Sequence, residues 1–319
     1  METTRRFLAS LGLPPGDAHD LPTSSKRFPD RAQYRIEIPS TEGPQALEAL
    51  LEEAQRYNVT IHRVSQGSGV MLQTDSEIRA MARTAAAAGI EISLFARPNA
   101  AWDTGAMALS SGGKSIAPRL RGQEQLVYCL EDVKRAAELG IRSVLLADEG
   151  ALWVANEMRQ QGELPRDMQY KISVMIAAAN PASVRLLERL GANTFNLPTD
   201  LTLAQIAAIR QAVDIPLDIY VEAPDDIGGF VRLYEIPEII RIAAPVYIKF
   251  GLRNAPNLYP SGSHIEAAAI ALTRERVRRA RIGLDLLQRY YPEAITSQLR
   301  AEGLALPVIH EEKGTVNED

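Results

Sequence analysis

The sequence predicts a (β/α)8 barrel of the TIM type, in the α/β class, with an N-terminal extension and a polar C-terminal tail. Three observations predict it. Short β-branched runs alternate with longer amphipathic stretches eight times along the chain, and repeated βα units imply a parallel sheet. Gly89, Gly140 and Gly191 each stand between a helical stretch and the next apolar run, where a left-handed cap residue is wanted. Asp75 or Ser76, Asn180 followed by Pro181, and Thr202 stand where helices begin, as N-cap residues do. Eight such units can close on themselves and leave no edge strand. A doubly wound open sheet is the rival, weakened because no glycine-rich dinucleotide turn follows the first strand.

Taken in order, strands are predicted at Tyr34–Ile38, Val59–Val64, Ile90–Phe95, Ser143–Ala147, Tyr170–Ile176, Thr194–Leu197, Leu217–Glu222 and Val246–Phe250. Helices are predicted at Pro44–Tyr57, Ser76–Ala88, Glu124–Leu139, Ala151–Gln161, Pro181–Leu190, Leu203–Ala212, Ile236–Ile242 and His264–Arg289. The barrel thus occupies 34–291, preceded by an extension over 1–33 and followed by a tail over 292–319. The stretch Arg97–Gln123 is long for a βα loop, and loops of that length commonly serve as lids or interfaces.

Composition narrows the function classes. At 319 residues the chain can bury a large core without staples. Its single cysteine, Cys129, excludes an intrachain disulfide and a cysteine-ligated iron–sulfur cluster. A formal charge of −5 gives no general attraction to nucleic acid or anionic membrane. No run approaches the roughly 18 apolar residues of a membrane span, and the first residues lack a signal-peptide core. The expectation is a cytoplasmic protein with a small-molecule or peptide-like substrate, no membrane and no nucleic acid as partner; a homo-oligomer stays open.

Strand parity then points to the lumen, because alternate strand residues face the helices and the barrel interior. Leu217, Ile219 and Val221 are expected to face helices, which turns Asp218, Tyr220 and Glu222 inward. The same reasoning turns Tyr247 and Lys249, Arg35 and Glu37, His62, Lys171 and Ser173, and Thr194 and Asn196 inward. Buried charges cost several kcal/mol each unless paired, so a lumen this charged points to function. Glu37, Glu222 and Lys249 fall at or near strand C-termini, where barrel enzymes place their chemistry. They are the catalytic candidates. Glu37, His62 and Glu222 are the candidate ligands of a divalent metal, with Mg or Mn suited to an oxygen-rich set. Arg97, Asn99, Asn196 and Arg253 are the substrate-binding candidates, the arginines for their bidentate fork. Asp148, Glu149, Asp225 and Asp226 also follow strands. The plain alternative is structural: Arg35, Asp218 and Lys171 pairing as a plug, His62 as a satisfied core histidine, and the loop charges as salt bridges.

Other features read as structural. Ser111–Ser115 imitates a phosphate-binding loop, but Ala108 replaces its first glycine and no strand precedes it. The basic run Arg274–Arg281 contains Glu275 and reads as a solvated helix face, with RNA or a partner chain as the lesser alternative. Cys129 has apolar neighbours and reads as core.

One stretch resembles a known family. Gly191-Ala192-Asn193 leads a short strand, Leu197-Pro198-Thr199-Asp200-Leu201-Thr202-Leu203 opens a helix, and Pro216–Glu222 forms the next strand. This resembles the collagenase-like peptidases of family U32, most clearly over Asn180–Glu222. The family pattern continues into a segment with histidine and paired cysteines, whereas here Glu222-Ala223-Pro224-Asp225-Asp226 follows. The chain is thus read as a divergent member. Iron–sulfur chemistry on RNA or quinones, which the resemblance would imply for some relatives, needs cysteines this chain lacks.

Three functions compete. The first is a hydrolase or lyase for a small polar substrate, metal-assisted through Glu37, His62 and Glu222, with Lys249 as acid or electrostatic stabiliser. The second is Schiff-base lyase chemistry on Lys249. The third is a catalytically silent barrel that binds a ligand or partner at its mouth.

Overall fold

The computed structural model describes residues 2–18, 20–97 and 119–309. Asn99, the Ser111–Ser115 run and most of the long loop after the third strand lie outside the described residues. A helix α1 (Glu2–Ser10) precedes the barrel. The strands are β1 (Tyr34–Ile38), β2 (Arg63–Gln66), β3 (Glu91–Phe95), β4 (Ser143–Leu146), β5 (Gln169–Ile172), β6 (Thr194–Asn196), β7 (Leu217–Glu222) and β8 (Val246–Phe250). They pair in that order, all parallel, and β8 returns to β1. The helices between and after them are α2 (Pro44–Tyr57), α3 (Asp75–Ala88), α4 (Gly122–Glu138), α5 (Glu149–Gln161), α6 (Pro181–Arg189), α7 (Leu203–Ala212), α8 (Ile236–Ala243) and α9 (Glu266–Tyr290).

Local chemistry accounts for the element ends. Thr74 and Thr202 each form a reciprocal capping box, with Glu77 and Gln205 respectively. Thr74 therefore takes the cap position expected of Asp75 or Ser76. Asn180 caps α6 through the Ser183 amide, and Asp148 caps α5 through that of Ala151. Ile36, Ile38, Val64, Ile92, Val144, Ile172, Ile219 and Ile248 are buried between barrel and helices.

The second strand departs from expectation. It spans 63–66 rather than 59–64, so Val64 faces the helices while Arg63 and Ser65 face the lumen. Ile61 and Val64 are three residues apart, which breaks strict alternation and shifts the parity by one. The fifth strand is also shorter, because Ser173 caps a 3-10 turn over Val174–Ile176. In β7 the pairing register slips between Tyr220 and Glu222. A local irregularity of this kind re-aims a side chain.

The N-terminal end of the barrel is closed by residues 295–308. Arg35 donates to Ser297 Oγ at 2.8 Å, to the Glu302 carbonyl at 2.6 Å and to Tyr247 Oη at 3.2 Å. Its guanidinium lies 4.0 Å from the Phe28 ring centre. Gly140, at φ +96°, receives the chain's final described turn: Val308 N donates to its carbonyl at 2.8 Å. Among the described residues no helix is long and apolar enough to cross a membrane.

Candidate functional site

Glu37 is the hub of the lumen. Its register partners are Arg63 on β2 and Lys249 on β8, so barrel closure alone brings the three together. Oε2 accepts from Arg63 Nε at 2.8 Å. Oε1 accepts from Ser65 Oγ at 2.8 Å, from Lys171 Nζ, and faces Lys249 Nζ at 3.3 Å. Arg63 also meets Asp218 at 2.6 Å and Glu91 at 3.8 Å, and stacks 3.5 Å from the Tyr247 ring centre. Lys171 reaches Asp218 at 3.8 Å, and Thr194 Oγ1 donates to Asp218 at 3.1 Å. Burial would raise the Glu37 carboxyl, but Arg63, Lys171 and Lys249 together hold it well below the usual carboxylate range.

The two lysines on that carboxylate differ. Burial, reinforced by the Arg63 charge, brings the Lys171 ammonium down to about 7. Burial is the largest influence on Lys249 and opposes its charge, yet Glu37, Tyr220 and Asp218 together outweigh it and the ammonium is held above its ordinary value. Lys249 Nζ donates to Asn196 Oδ1 and lies 4.2 Å from the Tyr220 ring centre. Asn196 is oriented in turn by its Nδ2, which donates to the Ile172 carbonyl at 2.8 Å.

Above this layer, at the C-terminal ends of the strands, lies a pocket of about 320 Å3. Lys249 and Asn196 line it together with Tyr220. Ser40, Ser65, Ser173, Arg97, Asp226 and Tyr259 supply its remaining charged and hydroxyl groups. Phe95, Leu145, Val174, Met175 and Ile227 supply apolar wall. Such a mix of apolar wall and a few convergent polar groups is typical of small-molecule sites. Ser40 Oγ and Tyr259 Oη are hydrogen-bonded to each other. The Tyr259 ring packs over Gly67, where a Cβ would sit only 2.4 Å from a ring carbon. Burial pushes the Tyr259 phenol up, so it stays protonated.

The structure sorts the residues singled out from the sequence. Glu37, Lys249 and Asn196 come together, and Arg97 reaches the same pocket, donating to the Gly67 carbonyl at 2.9 Å. Glu222 does not join them. The slipped register turns it to the helix layer, where Oε1 accepts from Arg253 N at 3.1 Å and Oε2 faces Arg279 Nε of α9 at 3.5 Å. His62 lies below the site: its Nδ1 accepts from Ile36 N at 2.9 Å and its Nε2 meets the Ser297 carbonyl at 2.9 Å. Both ring nitrogens are engaged by backbone, which fixes a neutral imidazole. The ligand set Glu37, His62 and Glu222 is therefore not assembled. Among the described residues no group of three or more His, Cys, Asp or Glu side chains is placed to hold a metal ion. The Arg253 side chain is exposed and pairs with Asp225 at 3.2 Å rather than lining the pocket.

Several plain readings also hold. Glu149 pairs with Arg119. In the basic run the solvated-face reading holds only in part: Arg274, Arg278 and Arg281 pair with Glu52 and Glu53, Glu275 and Asp285 respectively, whereas Arg276 is buried and donates to the Ser40 carbonyl. Cys129 is buried against the Ala96 carbonyl, its thiol pushed up to about 12 by burial. Sequence reasoning missed Arg63, Ser40 and Tyr259. The signal for Arg63 was available in Val64, whose helix-facing role turns both its neighbours inward. For Ser40 and Tyr259, both in loops, there was none.

Residues 118–223 match the model of peptidase family U32, and they include the Asn180–Glu222 stretch that carries the resemblance. The resemblance is thus shown over this segment. No curated protein matches the chain. Among solved structures, a candidate fructose-1,6-biphosphate aldolase from Coccidioides immitis is 14% identical, with TM-score 0.50, over 82% of this chain and 92% of that one. A U32 peptidase is 15% identical, with TM-score 0.41, over 70% of this chain and 94% of that one. A candidate copper homeostasis protein, CutC, from Streptococcus agalactiae is 13% identical, with TM-score 0.45, over 67% and 98%. At 14% identity the likeness to the first of these speaks for the barrel fold alone.

Proposed function

We propose that this U32-like (β/α)8 barrel is an enzyme of the hydrolase or lyase type, acting on a small polar substrate in the pocket at its strand C-termini. One observation carries the reading: Lys249 lines the pocket as an ammonium fixed by Glu37 and Asn196. A fixed, desolvated cation is an effective stabiliser of negative charge developing on a substrate oxygen, because no reorganisation is needed when the charge appears. Its proton can also be given to a leaving group. In this role Glu37 is a positioning residue: it keeps the proton on Lys249 and does not itself line the pocket.

Schiff-base chemistry asks the opposite of the same amine, which would have to be neutral to attack a carbonyl. The Glu37 contact favours the ammonium and so disfavours that route. The test is untargeted: incubate wild type and Lys249→Met with a small-molecule cell extract and compare both by mass spectrometry. Consumption of a compound by wild type, lost in the variant, supports the reading. Equal consumption by both, or none by either, overturns it.

A further inference from the structure

The polar groups presented to the pocket are unequal in kind, and two of them share one proton to spare. Ser40 Oγ and Tyr259 Oη are joined by one hydrogen bond. Two hydroxyls carry two protons, and a single O–H···O contact uses one of them. Neither oxygen has a second hydrogen-bond partner among the described residues, and both residues line the pocket. Whichever hydroxyl donates to the other, one O–H is left without an acceptor among the described residues.

The pair is built, not incidental. Ser40 holds φ at +57°, an uncommon value for a residue with a side chain. Its carbonyl accepts from the buried Arg276 NH1 at 3.2 Å, which fixes that turn from behind. Tyr259 is seated on Gly67, whose missing side chain leaves room for the ring. The Gly67 amide donates to the Glu42 carboxylate at 2.7 Å, and Ser68 N adds a second bond at 3.2 Å. The neighbouring acceptors are already occupied: Asn196 Oδ1 takes the Lys249 proton, and Gln66 Oε1 takes the Gly69 amide at 3.1 Å. Among the described residues donors therefore dominate the interior of the pocket, and the one carboxylate lining it, Asp226, is exposed.

We propose that the Ser40–Tyr259 hydroxyl pair and the Lys249 ammonium form a two-point cradle for an acceptor-rich anion, a small carboxylic acid whose apolar body lies against Phe95, Leu145, Val174 and Met175. The proposal rests on the reading of Lys249 given above and adds the ligand class and the second donor. The pair has a distinctive signature. Ser40→Ala leaves the tyrosine proton, and Tyr259→Phe leaves the serine proton, so either single variant retains one donor. Only the double variant removes both.

The probe is 3-phenylpropionate, titrated by calorimetry beside 3-phenylpropylamine and 3-phenylpropanol as cationic and neutral controls. Wild type should bind the acid at least tenfold more tightly than either control. Each single variant should stay within about threefold of wild type, whereas the double should lose about tenfold, or 1.4 kcal/mol. Thermal unfolding of each variant confirms that it is folded. If the double variant binds the acid as wild type does while Lys249→Met does not, the second donor is wrong and the Lys249 reading stands. If Lys249→Met binds normally, the underlying reading falls as well. No preference of wild type for the acid overturns the ligand class.

Discussion

Replacing Glu37 by glutamine should be among the most damaging isosteric changes in the protein, and the contacts show why. Three cations face this carboxylate: Arg63, Lys171 and Lys249. After the change Arg63 keeps Asp218 at 2.6 Å. Lys171 keeps only Asp218 at 3.8 Å, and Lys249 has Asn196 and the Tyr220 face but no carboxylate. Removing one partner of a buried ion pair costs about 3–5 kcal/mol. The glutamine carbonyl still accepts one hydrogen bond, worth about 1 kcal/mol, so about 3 kcal/mol is expected. That is a large share of the 5–15 kcal/mol typical of a folded domain.

Urea unfolding at pH 7 reads this directly, with an unchanged slope if only stability has moved. A second axis makes the reasoning specific. In wild type the lysine–carboxylate pairing is in place from above the acid range of Glu37 up to the raised value of Lys249. In the variant both lysines lose this counter-charge: Lys171 falls further below its unfolded value, and Lys249 loses the contact that held it above. Their penalty then fades as pH rises toward 10, because the unfolded chain stays protonated while the folded one does not. The gap between the two proteins should therefore narrow with rising pH. Lys171→Met is the control. Its ammonium is already disfavoured by burial, and exchanging a buried charge for an apolar side chain is often neutral, so about 1 kcal/mol or less is expected. A Glu37→Gln protein within 1 kcal/mol of wild type would refute the account, and so would a Lys171→Met protein less stable than it.

Three further outcomes follow from the same contacts. His62 is neutral when folded, its imidazole lowered to about 4 from 6.5, chiefly by burial; stability should be full above pH 6.5 and fall by about 3 kcal/mol as pH drops to 4, and urea titrations of His62→Asn across that range should show a flatter slope. Gly67→Ala would place a Cβ against the Tyr259 ring, so binding of 3-phenylpropionate should weaken by more than the threefold allowed for Tyr259→Phe, as calorimetry would show. Gly140→Ala would put a Cβ 2.4 Å from the Val308 carbonyl at a positive φ, and should cost about 1–3 kcal/mol, visible as faster proteolytic trimming of the C-terminal segment.

The barrel was legible in the sequence because its signals are local. Eight apolar runs, the capping Thr202 and Asn180, and the glycines after helices all act within a few residues of themselves. Lumen parity was legible wherever alternation was strict, as in Tyr34–Ile38 and Val246–Phe250, and Glu37 and Lys249 followed from it. It failed at two places for one reason. Ile61 and Val64 break the period before β2, and the register slip in β7 breaks it before Glu222. In both, hydrogen bonding between strands, not the order of side chains along one strand, decides the facing. The Ser40–Tyr259 pair joins two loops 219 positions apart, and no spacing in the chain announces it. The closing role of residues 295–308 was hidden similarly, since their partners are backbone atoms and the side chains of residues distant in sequence, Gln33, Arg35, His62, Glu91 and Gln169.

The lumen reads from bottom to top as a sequence of dependencies. The C-terminal segment and Phe28 shut the lower end around Arg35, and His62 ties that segment to β1 through backbone contacts alone. Water is thereby kept from the layer above, where Arg63, Glu37, Lys171 and Asp218 are each at most 1% exposed. Charges in so dry a place act strongly on one another: Glu37, Tyr220 and Asp218 together hold Lys249 charged, while burial and Arg63 push Lys171 toward neutrality. A structural plug would not need that inequality; an apolar layer would close the barrel at lower cost. The ion cluster instead delivers its effect upward, to Lys249, the one lysine among the described residues that lines the pocket. That asymmetry, more than the presence of charge, is the argument for chemistry at this mouth.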